Sequence, residues 1–127
     1  MVVPYNNNEA PSTKETVLVV DDDRMNLRFA EHMLSSAYNV VLAQSYKEAL
    51  AYLSKERPAL ALLDVHMPDM NGFELLLEIR KIKTCDGLPV VFLTADSDRE
   101  TEVRVFKEGA QDYIQKPLVP EVVLERI

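Results

Sequence analysis

Three consecutive aspartates, Asp21-Asp22-Asp23, follow the apolar run Val17-Leu18-Val19-Val20. A fourth, Asp64, closes the run Leu60-Ala61-Leu62-Leu63, and a hydroxyl, Thr94, closes Val90-Val91-Phe92-Leu93. Lys116 stands after a weaker strand candidate, Asp112–Gln115. Carboxylates brought together repel one another, so such a cluster calls for a cation. Magnesium suits it, because it takes oxygen ligands, keeps several waters and bridges one or two carboxylates to a phosphate. An Asp carboxylate can also act as the nucleophile that forms an aspartyl phosphate. A hydroxyl and an ammonium nearby then hold the phosphoryl oxygens by hydrogen bonding and charge. These residue types point to a magnesium-dependent phosphoryl site, provided one edge of the fold gathers them.

The elements between them meet that condition. Unbroken apolar runs of this length suit strands buried on both faces of a parallel sheet. Asn39–Ala43 and Asp112–Gln115 are weaker strand candidates. Helical stripes lie between the runs: Leu27, Ala30 and Leu34; Tyr46, Ala49, Leu50 and Leu53; Phe73, Leu76, Ile79 and Arg80; and Val103, Phe106 and Ala110. Asn71-Gly72 marks a turn before the third helix, Gly87 with Pro89 follows it, and Gly109 follows the fourth. Glycine and proline commonly close helices in this way. Alternating strands and helices indicate βαβ units and a parallel sheet. In open α/β sheets ligands bind beyond the carboxyl ends of the strands. That edge is where Asp21, Asp22, Asp23, Asp64, Thr94 and Lys116 fall.

Composition narrows the possibilities. A chain of 127 residues holds one ordinary core, which makes a single domain the expectation. Residues 1–15, with Pro4, Asn6, Asn7, Asn8 and Pro11, read as a flexible tail, and 16–127 as the domain. No apolar run approaches the roughly 18 residues of a transmembrane helix, and the N-terminal stretch has no secretory pattern. A lone cysteine, Cys85, cannot form an internal disulfide and accords with a cytoplasmic protein. With 14 basic against 21 acidic residues the net charge is -7. Phosphate backbones repel such a surface, so direct nucleic-acid binding by this domain is not expected.

At this point four segments, in order, resemble the receiver domain of two-component response regulators. They are Leu18-Val19-Val20-Asp21-Asp22-Asp23, the stretch Asp64-Val65-His66-Met67-Pro68-Asp69-Met70-Asn71-Gly72, Leu93-Thr94-Ala95, and Gly109-Ala110-Gln111-Asp112-Tyr113-Ile114-Gln115-Lys116-Pro117. The resemblance implies a flavodoxin-like doubly wound α/β fold with a five-stranded parallel sheet of order 2-1-3-4-5 and helices on both faces. It implies that Asp64 is the phosphoacceptor, and that Asp21, Asp22, Asp64 and the backbone carbonyl of His66 hold magnesium, or manganese in its place. Asp22 would bind directly and Asp21 through water. Thr94 and Lys116 would grip the phosphoryl group, with the Lys116-Pro117 bond cis. Thr94 and Tyr113 would switch an output face. His66 and Asp96, two residues beyond Asp64 and Thr94, would border the hydrolytic water and tune the lifetime of the phosphorylated state. The implied partners are a sensor histidine kinase or histidine phosphotransfer protein, a downstream output domain or protein, and a second copy of the phosphorylated domain. A membrane is not among them. The last helix, from Leu118 onward, is shorter than the family pattern.

Two other classes share part of this pattern. An aspartate-nucleophile phosphohydrolase carries D-x-D-x-[TV] after its first strand; Asp21 and Asp23 fit, but Met25 fails the last position and no cap insertion is present. A phosphorylation-independent interaction module of the same fold typically loses an acidic, Thr or Lys position, and this chain keeps all of them. One of the three aspartates, Asp23, is expected to cap the first helix rather than to enter the site. Nothing in the sequence identifies the output, the stimulus or the cognate kinase.

Overall fold

The structure is a computed structural model, and it describes residues 14–94, 107 and 112–115. Five parallel strands form one sheet in the order β2-β1-β3-β4-β5. They are β1 (Thr16–Val20), β2 (Asn39–Ala43), β3 (Leu60–Asp64), β4 (Val90–Thr94) and β5 (Asp112–Gln115). Helix α1 (Arg24–Leu34) joins β1 to β2, α2 (Tyr46–Leu53) joins β2 to β3, and α3 (Gly72–Ile79) follows β3. A 3-10 turn at Lys83–Cys85 leads into β4.

The order explains which strands were legible. In the middle of the sheet, every residue of β3 is buried, and so are the last four of β1. At an edge, β2 is exposed or half-buried until Ala43. Its sequence, Asn39-Val40-Val41-Leu42-Ala43, is accordingly less uniformly apolar. The two weaker candidates, β2 and β5, are the two edge strands.

Side chains alternate across each strand, which builds two cores. On one face Val17, Val19, Leu60, Leu62, Val91 and Leu93 pack with Leu27, Ala30, Met33 and Leu34 of α1. On the other, Leu18, Val20, Ala61, Leu63, Val90 and Phe92 pack with Ala49 and Leu53 of α2 and with Phe73, Leu75, Leu76 and Ile79 of α3. Helices thus cover both faces. A fully buried leucine such as Leu18 or Leu62 contributes about 1.5–3 kcal/mol. The rings of Phe73 and Phe92 lie 4.7 Å apart and tilted, which locks α3 onto β4.

Each described helix starts on a side-chain cap. Asp23 accepts from the Met25 N–H at 2.8 Å, as the sequence predicts. Ser45 accepts from the Glu48 N–H at 3.2 Å. Asn71 and Glu74 form a reciprocal capping box at α3. The end of α3 differs from expectation. The helix stops at Ile79, and Arg80 is its exposed C-cap, not part of the apolar stripe. Gly87, at φ 75°, closes the later turn into β4. The fourth helical stripe, Val103, Phe106 and Ala110, lies outside the described residues. Lys14 and Glu15, at the end of the expected tail, are tied down. The Lys14 ammonium donates to the Ser35 carbonyl at 3.1 Å, and Asn39 donates to the carbonyls of both residues. Among the described residues no helix is long and apolar enough to cross a membrane.

Candidate functional site

Register brings the first two carboxylates together. Val20 of β1 pairs with Leu63 of β3, so Asp21 and Asp64 are the next residues on neighbouring strands. Adjacent strands run about 4.8 Å apart. Asp21 is fully buried and Asp64 is 4% exposed. Asp22 is exposed, and one carboxylate oxygen from each of Asp21, Asp22 and Asp64 lies within 4.8 Å of the others. Asp23 turns away to cap α1. The run of three aspartates therefore divides into two members of the carboxylate cluster and one helix cap.

Backbone amides hold the two buried carboxylates. The Asp23 N–H donates to Asp21 Oδ1 at 3.0 Å, and the His66 N–H donates to Asp64 Oδ1 at 3.3 Å. Two carboxylates at the 4.8 Å limit repel by roughly 3–4 kcal/mol at an effective dielectric constant of about 20. A cation removes that cost. The donor set is all oxygen, which selects a hard ion such as magnesium over zinc or copper. Three carboxylate oxygens within 4.8 Å of one another are close enough to share one such ion.

The other expected site residues are placed in part. Asp64 pairs with Leu93, whose carbonyl accepts from the Val65 N–H at 2.9 Å, so Thr94 ends β4 at the same edge. Thr94 pairs in turn with Gln115, the residue before Lys116. Tyr113 lies within β5, its backbone opposite Phe92. The side chains of Thr94 and Tyr113, and all of Lys116 and Asp96, lie outside the described residues. His66 is exposed beside Asp64.

Sequence reasoning missed three parts of the loop that follows Asp64. Asp69 adopts φ 70°, the left-handed region that a non-glycine residue seldom enters. The pair Asn71 and Glu74 fits the capping-box spacing, a signal that was available. Gly72 was read as a turn glycine, yet its φ is ordinary and its backbone lies against the carbonyl of Asp64.

A family model described as the response regulator receiver domain matches residues 17–127. The chain belongs to the response regulator receiver family. This receiver is 39% identical over 112 residues to the response regulator MprA of Mycolicibacterium vanbaalenii, covering 87% of this chain and 48% of that protein. It is 37% identical over 112 residues to a probable cyclic di-GMP phosphodiesterase of Vibrio cholerae, covering 88% of this chain and 25% of that one. The chain thus spans half or less of these two relatives. Among solved structures, the chemotaxis protein CheY4 of Vibrio cholerae superposes with a TM-score of 0.83 at 32% identity, covering 89% of this chain and 95% of the other. The family is a signalling one, and the parallel sheet described above is its fold.

Proposed function

We propose that this receiver accepts a phosphoryl group on Asp64 from a phosphohistidine and passes the signal to an output. One observation carries the reading. A nearly buried Asp64 ends the central strand with two further carboxylates inside 4.8 Å. The carboxylate attacks phosphorus, the N–P bond of the donor breaks as the O–P bond forms, and the departing imidazole takes up a proton. The His66 N–H fixes one oxygen of Asp64 during this step. Asp21, Asp22, Asp64 and the His66 carbonyl are the groups that would hold magnesium or manganese. The ion supplies charge neutralisation to the phosphoryl oxygens. Thr94 and Lys116 then grip the phosphoryl group. Water later attacks phosphorus, the O–P bond breaks, and phosphate leaves with Asp64 restored. The domain assists its own dephosphorylation in this way and is otherwise a switch.

The donor is a sensor histidine kinase or a histidine phosphotransfer protein in the cytoplasm. Thr94 and Tyr113 bias two preexisting states of the output face, a population shift. That face engages an output domain, a separate protein or a second phosphorylated copy. Incubation with phosphoramidate and magnesium, followed by intact mass measurement, tests the reading. A single phosphoryl adduct is expected on the parent chain and none on Asp64→Asn, whose amide is close in shape but a poor nucleophile. Undiminished labelling of Asp64→Asn would reject Asp64 as the acceptor. Rapid multiple turnover would favour a hydrolase, and no adduct on the parent an interaction module.

A further inference from the structure

Gly72 opens α3, eight positions along the chain from Asp64, yet the two touch. A Cβ built on Gly72 would collide with the backbone carbonyl oxygen of Asp64 and would lie 3.0 Å from Cε1 of Phe92. The Gly72 N–H also donates to the Val65 carbonyl at 2.9 Å, closing the 65–71 loop on the strand end. Its φ is not in the left-handed region, so turn conformation does not require glycine here. Space does. The two obstacles differ in kind. Phe92 is a side chain that can rotate or be trimmed, whereas the Asp64 carbonyl is fixed by β3.

The geometry points to Gly72 as a positioning residue for the Asp64 carboxylate. Any side chain at position 72 must push the Asp64 peptide, or move α3 away and carry the loop with it. Either shift turns the carboxylate relative to Asp21, Asp22 and the His66 N–H. Misplacing a reacting atom by about 1 Å can cost about a hundredfold in rate. The inference rests on the reading of Asp64 as the phosphoacceptor.

Phosphoryl incorporation from phosphoramidate at saturating magnesium tests it, compared among the parent, Gly72→Ala, Gly72→Ala/Phe92→Leu and Leu76→Ala. Leu76 is buried on the same helix, so its truncation loosens packing without touching Asp64. Gly72→Ala should lose at least about tenfold in rate while still unfolding cooperatively. Leu76→Ala should keep the parental rate despite a lower melting temperature. The double variant frees the ring contact at the cost of the Phe73 pairing, and it should not regain rate. An unchanged rate in Gly72→Ala, recovery of rate in the double variant, or failure of both to fold would overturn the proposal. If the parent itself takes no phosphoryl group, the acceptor reading fails separately. Magnesium titration followed at the Asp64 and His66 amide resonances then decides the positioning claim. Gly72→Ala must weaken binding, and an unchanged titration would overturn the proposal.

Discussion

At the end of β1 the Asp23 N–H donates to Asp21 Oδ1, and at the end of β3 the His66 N–H donates to Asp64 Oδ1. The end of each strand thus carries a buried aspartate, Asp21 just past β1 and Asp64 closing β3, held by the amide two residues later. The chain then does different things. After β1, Asp23 closes that turn and caps α1, so the helix starts at Arg24 and Asp22 is left exposed beside the buried Asp21. After β3 the chain travels through 65–71, passes the left-handed Asp69, and returns to cap α3 with Asn71 and Glu74. The first connection is short, as suits residues proposed to hold an ion in one place. The second sets the exposed His66 next to the buried Asp64, the residue proposed to meet a donor and later a water. Equal chemistry at two strand ends is made unequal by loop length.

The sharpest test of that division is the metal. Asp22→Ala should weaken magnesium binding at least about tenfold, by the loss of a directly placed carboxylate, as judged by titration at the Asp64 amide resonance. Asp23→Ala should leave the ion nearly unaffected and lower stability by about 1 kcal/mol through the lost cap. The reverse ranking would mean that Asp23, not Asp22, serves the site, against the 2.8 Å cap seen here.

The contrast also separates what the sequence tells from what it hides. Asp21, Asp22, Asp64 and Asp23 were legible because each sits at the close of an apolar run, and central strands announce themselves by being apolar on both faces. The edges, β2 and β5, were fainter because water reaches β2 and relaxes the demand for apolar residues. Arg80 and Gly87 misled. Helix α3 ends by its capping and packing at Ile79, and the glycine serves a turn several residues on. Gly72 was misread for a deeper reason. Its neighbours, the Asp64 carbonyl and Phe92, are supplied by two different strands, and a single sequence does not record a tertiary approach.

A smaller effect is expected at the rim of the longer connection. The His66 side chain is exposed and next to the carboxylate its own amide holds. If it covers part of the approach to phosphorus, His66→Gly should speed loss of phosphate several-fold while leaving the magnesium requirement in place. In-line attack needs an open path about 3 Å long, which a ring at the rim obstructs. A phosphate-release time course with an equal or slower rate would shift the tuning role to Asp96.

The smallest effect concerns Asp69, where the longer connection bends. A left-handed backbone costs an L-residue about 1–2 kcal/mol, and aspartate is among the side chains that tolerate it best. Glycine removes that penalty but gives the unfolded chain more freedom, which costs about 0.5–1 kcal/mol. Asp69→Gly should therefore change stability by less than about 1 kcal/mol, on the favourable side. A β-branched residue suffers most in this region, so Asp69→Val should be destabilised by about 1–3 kcal/mol. Urea midpoints of the two variants measure the difference. Phosphorylation of Asp69→Gly should match the parent, because the bond from Gly72 to Val65 closes the loop without help from residue 69. Equal midpoints for Gly and Val would show that the left-handed bend at Asp69 is incidental to the connection.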